Sequence, residues 1–190
     1  MTGNVFTDVR IETERLIIRP YGPSDDQDLH ELISQPEVRE FIPDDPMTLE
    51  EVRRIIVWLG ECYPKNTPEK IIKWTLAMVW RDTNKVIGSC GLGPLDFSPD
   101  ETELFYALRK EFWGRGLATE AARAVLKYAF ETIRVERLVA VTMPANVGSV
   151  KVIEKLGFRY EKKVTGLRGD FADYEGDLYY TMTRDEYLQL

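Results

Sequence analysis

Only two cysteines, Cys62 and Cys90, and a single histidine, His30, occur among the 190 residues. The cysteines have neither CxxC spacing nor histidines beside them. This gives no support for a zinc site or a thioredoxin-type pair, and a disulfide-stapled miniature fold is excluded at this length. One histidine without a nearby Ser or Cys nucleophile makes no catalytic triad. Basic charge is also short. Twenty-five Lys and Arg against 32 Asp and Glu leave a net charge of −7 and a pI near 4.9, the wrong sign for general attraction to nucleic acid or an anionic membrane. No apolar run reaches about 18 residues, and the opening MTGNVFTDVRIETERL lacks the apolar core of a leader peptide. The expectation is a cytoplasmic protein with no metal and no membrane or nucleic-acid partner.

What is present describes a folded, soluble chain. Hydrophobic residues make up 44%, charged residues 30% and aromatic residues 11%, enough to fill an ordinary core. No repeat, low-complexity stretch or linker divides residues 1–190, which read as one domain.

The order of elements follows from periodicity and punctuation. RLIIRPY (15–21) has strand composition. A helix follows it, with Ser24 as N-cap and Leu29, Leu32 and Ile33 at helical spacing. A second helix opens with the capping box Thr48–Glu51 and carries Val52, Ile55, Ile56 and Leu59 on one face. KIIKWTLAMVW and KVIGSCGL form a hairpin through RDTNK. A third strand, ETELFYALR, comes after the loop GPLDFSPD. From Ala118 to Ile133 the apolar positions trace one helical face. RLVAVTM (137–143) reads as a buried strand, and a short helix runs from an Asn146 cap to a Gly157 stop. Strands near 158–165 and 176–183 close the chain. The order β-α-α-β-β-β-α-β-α-β-β implies an α/β (α+β) fold: a mixed, mostly antiparallel sheet of about seven strands flanked by about four helices. Trp58, Trp74 and Trp80 read as core.

WGRGLAT (113–119) stands directly before the strongest helix. Glycines there remove the Cβ atoms that would hold an oxygen away from the backbone, and a helix start presents free N–H groups. The loop therefore suits an anion such as pyrophosphate. A tight strand-to-helix turn is the other reading, since the spacing is neither Walker A nor GxGxxG. A second glycine cluster, GSCGLG, precedes no helix and reads as a strand with a bulge.

The run ELFYALRKEFWGRGLATEAARAVLKYAF, followed by NVGSVKVIEKLGF, resembles the acetyl-CoA-binding core of the GNAT superfamily of N-acetyltransferases. IETERLIIRPYGPSD and DLYYTMTRDEY are similar to the first and last strands of its ribosomal-protein N-terminal acetyltransferase subfamily. The resemblance implies acetyl transfer from acetyl-CoA to a primary amine, either a protein N-terminus or a small molecule, by direct attack in a ternary complex. It implies that Trp113, Gly114, Arg115, Gly116, Leu117, Ala118 and Thr119 form the pyrophosphate loop, and that Asn146 contacts the pantetheine arm. It also implies that the oxyanion meets a backbone N–H of the strand ending near Leu108. The loop pattern Gln/Arg-x-x-Gly-x-Gly/Ala here begins at Trp113, which loses a side-chain contact but not the backbone ones. Many members carry a proton-donating tyrosine where this chain has Ile153. The subfamily's serine matches Ser149, which is assigned to the CoA sulfur, or else is a serine suited to a first helical turn. Glu103 matches a glutamate that serves as base through water, or else is a surface carboxylate within DETE. Asp173, Tyr174 and Asp177 are implied to line the acceptor pocket. A CoA-binding regulatory domain without catalysis, favoured by Ile153, and a nucleotide-binding domain are the competing functions. Oligomeric state is left open.

Overall fold

A computed structural model describes residues 4–42 and 46–190. The chain runs β1 (Ile11–Glu12), β2 (Leu16–Pro20), α1 (Asp26–Ser34), α2 (Pro36–Arg39), α3 (Leu49–Cys62), β3 (Trp74–Trp80), β4 (Lys85–Leu95), β5 (Ser98–Leu108), α4 (Leu117–Tyr128), β6 (Arg137–Thr142), α5 (Val147–Leu156), β7 (Arg159–Lys163), β8 (Leu178–Thr183) and α6 (Arg184–Tyr187). Eight strands form one sheet in the order β1-β2-β3-β4-β5-β6-β8-β7, antiparallel except between β5 and β6. The expected mixed sheet is therefore present, extended by the short strand β1 and by the one-turn helices α2 and α6.

Local chemistry explains where elements begin and end. Thr48 and Glu51 exchange capping bonds at the start of α3, with Thr48 N–H donating to Glu51 Oε2 at 2.7 Å. Ser24, expected as the cap of α1, lies instead in a 3-10 turn over Pro23–Asp25. Asp25 is the reason. Its carboxylate accepts from Gly22 N–H at 2.8 Å and pairs with Arg19 at 2.7 Å, which closes the turn on Asp25 and makes Asp25, without a side-chain cap bond, the residue that precedes α1. The third strand begins only at Trp74, because Asn66 binds the backbone of the residues before it: its Oδ1 accepts from Ile72 and Lys73 N–H. The expected loop over 93–100 is mostly ladder, with β4 reaching Leu95 and β5 starting at Ser98. The helical pattern beyond Tyr128 continues as a wider π turn over Ala129–Ile133, which keeps Phe130 and Ile133 buried.

The glycines of β4 have a packing role. A Cβ at Gly91 would stand 2.1 Å from Trp74 O, and one at Gly88 2.5 Å from Ala107 O. This cluster brings strands close together, and the β3–β4 register shifts beside it.

Strand alternation assigns the faces around β5. Trp74 stacks on Tyr128 of α4 and pairs with Leu92, which pairs with Leu104, so Leu104, Tyr106 and Leu108 share the α4 side. Glu103, Phe105 and Ala107 project from the opposite face, with Ser89, whose hydroxyl lies 2.5 Å from that of Tyr21 just before α1. Trp74 is fully buried in the core as expected and Trp80 packs half-buried against it, but Trp58 is 46% exposed and lines a cleft from α3.

Candidate active site

The site begins where the two parallel strands separate. Their ladder contains the single pair Glu103–Val139, and beyond it β5 and β6 border a cleft of about 890 Å³. Opening a parallel seam strands its backbone groups, which need partners from elsewhere. Arg109 N–H donates to Ile87 O of β4 at 2.9 Å. By alternation, the N–H groups of Tyr106 and Leu108 then point away from β4, toward the opening. On the other wall, Val141 N–H donates to Glu103 Oε1 at 3.3 Å, so a carboxylate bridges the mouth of the seam.

That carboxyl is perturbed. Burial, with Asp96 and Asp177 adding like charge, pushes Glu103 up to about 7 against the opposing effects of the Val141 N–H and Lys73. A group titrating there can accept a proton near neutral pH. Glu103 is half-buried and lines the cleft.

Gly114 and Gly116 adopt left-handed φ of 74° and 77°, which turns the chain into α4. Nothing stands within 4 Å of a Cβ built on Gly114, so the space above the loop is open. Gly116 is the N-cap of α4 and offers no side-chain cap. The first intrahelical donor is Glu120 N–H, which leaves those of Leu117, Ala118 and Thr119 for a ligand. Arg115 stacks over Phe112 at 5.3 Å. Trp113, where the pattern that the loop resembles has a polar residue, donates from Nε1 to Leu108 O at 2.6 Å and thereby fixes the loop to the strand end.

Asn146 caps α5, its Oδ1 accepting Ser149 N–H at 3.0 Å. Ser149 Oγ lies 2.9 Å from the hydroxyl of Tyr106, which also reaches Ser149 O at 3.2 Å. Burial pushes the Tyr106 phenol well above its ordinary value, so it stays protonated. Ile153 is buried. Glu103, on the face opposite Tyr106, and Ser149, bonded to Tyr106, thus address the cleft from opposite sides of the sheet.

Sequence reasoning passed over Tyr106, although it lies within the strand it singled out, because an aromatic alternating into a sheet face reads as core. Arg15 was also missed. Its guanidinium donates to Arg115 O at 3.0 Å and pairs with Glu120 at 2.6 Å, bracing the glycine loop from β2's leading end.

This architecture has known counterparts. The acetyltransferase (GNAT) domain family matches residues 15–159. The chain belongs to the GNAT acetyltransferases. It is similar to the uncharacterized N-acetyltransferase p20 of Bacillus licheniformis, at 28% identity over 87% of this chain and 89% of that protein. It is also similar to the FsC-acetyl coenzyme A-N(2)-transacetylase of Aspergillus fumigatus, at 27% identity over 95% of this chain and 78% of that protein. The ribosomal-protein-S5-alanine acetyltransferase of Vibrio fischeri shares the fold, with a TM-score of 0.80 at 20% identity over 95% of this chain and 99% of that one. As a GNAT acetyltransferase the chain is an acetyl-CoA-dependent N-acetyltransferase. Among its described residues no helix is long and apolar enough to cross a membrane.

Proposed function

We propose that this GNAT acetyltransferase transfers the acetyl group of acetyl-CoA directly to a primary amine in a ternary complex, with Glu103 as the base. The observation that carries this reading is the Glu103 carboxyl at the mouth of the parted strands, raised to about 7 and on the sheet face opposite Ser149. Substrates approaching from two faces can meet in the seam without crossing each other.

In this reading the N–H groups from Gly114 to Thr119 hold the pyrophosphate and Arg115 adds charge at its rim. The Asn146 Nδ2, left over after Oδ1 caps α5, contacts the pantetheine arm. Glu103 takes a proton from the arriving ammonium, directly or through water, so that the neutral amine attacks the thioester carbonyl. The N–H groups of Leu108 and Tyr106 receive the developing oxyanion. Ser149 donates to the departing sulfur, and Tyr106 then donates to Ser149 Oγ, supplying the phenol that Ile153 lacks. Covalent transfer through cysteine is disfavoured: Cys90 is buried in β4 and its thiol is pushed far up, away from the thiolate form.

The Tyr106–Ser149 pair argues against a CoA-binding domain that has lost catalysis. The test is an acceptor screen reporting free CoA thiol, with small amines beside peptides of varied first residue. Acetyl-CoA-dependent thiol release with an amine is expected. Binding of acetyl-CoA without turnover on any amine would overturn the enzymatic reading.

A further inference from the structure

The acceptor end of the cleft carries a charge that the mechanism above does not use. Asp177 stands immediately before β8 and lines the cleft, yet it is only 6% exposed. Its backbone is fully engaged, N–H to Tyr174 O at 3.1 Å and C=O from Val164 N–H at 2.8 Å. Its carboxylate has no hydrogen-bond or ion-pair partner among the described residues. Burial alone raises its pKa, to about 6, with no basic side chain acting on it. Buried carboxylates are normally paired, and one left unpaired beside a cavity awaits a partner from solution.

The surroundings define that partner. Lys73 is a cation that lines the cleft beside Glu103. It lies 4.4 Å over the Phe105 ring, and its charge acts on Glu103. Asp96, in the β4–β5 turn, accepts the Tyr174 hydroxyl at 2.5 Å, so the turn before β8 is fastened to the sheet with its acidic residues around the cleft. Asp96 and Asp177 both act electrostatically on Glu103 and therefore lie near it. A single ammonium delivered to Glu103 loses its proton and its charge there, which leaves Asp177 as uncompensated as before.

We propose that the acceptor is a small aliphatic diamine or polyamine, whose second ammonium is held by Asp177 while its first reacts at Glu103. This rests on the acetyltransferase reading and names its substrate class. The methylenes between the nitrogens pass along Phe105 and Tyr174, which line the same end of the cleft. The reaction balances with acetyl-CoA alone. The ammonium gives one proton to Glu103 and its nitrogen gains the acetyl carbon; as the C–S bond breaks, CoA leaves as thiolate and takes a proton from Ser149, and the second proton of the attacking nitrogen, lost as the amide forms, restores the serine through water.

The test compares acceptors of matched chain length, putrescine, butylamine and γ-aminobutyrate, with the full-length protein and acetyl-CoA. A charge-assisted bond changes kcat/KM by about tenfold or more. Putrescine is expected to exceed butylamine by at least that factor, with γ-aminobutyrate below both. Asp177→Asn should remove the putrescine advantage through KM, so that the ratio of putrescine to butylamine kcat/KM falls about tenfold or more toward one. In parallel, putrescine but not butylamine should raise the melting temperature of the CoA-bound wild type, and this shift should vanish in Asp177→Asn. Equal use of the three acceptors, equal loss for putrescine and butylamine in the variant, or a basic peptide far better than putrescine would overturn the proposal. Putrescine stabilisation without turnover would retain the subsite and reject the catalytic reading, so the two fail separately.

Discussion

The hydroxyl of Tyr106 lies 2.9 Å from Ser149 Oγ, joining the C-terminal end of β5 to the first turn of α5 across the wall of the cleft. Ser149→Ala should lower kcat by about tenfold to a hundredfold while the CoA dissociation constant stays within about twofold, as expected for a bond to developing charge. Tyr106→Phe should cost less, and the double variant should be no worse than Ser149→Ala alone, because the phenol acts through the serine. Steady-state kinetics with calorimetric CoA binding measure both. Additive losses in the double variant would separate the two residues.

How much of this was legible in advance divides along physical lines. Elements with strong periodicity or caps could be read directly: the α4 face from Ala118, the Thr48–Glu51 box and the Asn146-to-Gly157 helix. The errors arose where a side chain outcompetes propensity. Asp25 displaced Ser24 at α1, and Asn66 delayed β3 to Trp74. In the site, Gly114 and Gly116 are positions whose conformation the residue type itself signals. Tyr106 and Arg15 are not, and Asp177 was reached only through the resemblance, since their meaning comes from neighbours far away in the chain. Arg15 touches Arg115, and Asp177 influences Glu103.

The glycine loop predicts a binding defect that steric crowding within the protein cannot cause. A Cβ at Gly116 would come no nearer than 3.7 Å to Arg15 Nη2. Gly116→Val therefore costs the strain of a left-handed φ, about 1–2 kcal/mol, or a few degrees in melting temperature. Its branches stand where the anion approaches. CoA affinity should fall by more than about tenfold, beyond what the small loss of stability explains. Micromolar CoA binding by a folded Gly116→Val protein would remove the loop from the phosphate site.

Arg15 braces the same loop. Arg15→Ala releases Arg115 O and unpairs the partly buried Glu120, at a cost on the order of 1 kcal/mol. Weaker CoA binding by a few fold, with kcat unchanged at saturation, is the expected result. Arg10→Ala, which breaks an exposed pair with Glu12, serves as the control and should change neither. Identical CoA affinities in all three proteins would show that the brace is irrelevant to binding.

Glu103 also ties stability to pH. Its carboxyl titrates from an ordinary 4.5 to about 7 on folding, so the folded state holds the extra proton between those values. This contribution is complete below 4.5 and is lost as pH rises through 7. Above pH 7, Glu103→Gln should therefore be more stable than wild type, and the difference should shrink toward pH 4.5. Denaturant melts of both proteins across that window give the sign. A variant less stable than wild type at high pH would contradict the burial of the carboxyl.

The central claim is that the amine's proton passes to Glu103, and the pH dependence of kcat/KM tests it most directly. With a saturating acetyl-CoA concentration, wild type should show an acidic limb with an apparent pKa near 7, the value at which burial holds this carboxyl. In Glu103→Gln the rate should fall by about a hundredfold or more and that limb should disappear. The same limb retained at a near-wild-type rate would place the base elsewhere and contradict the account.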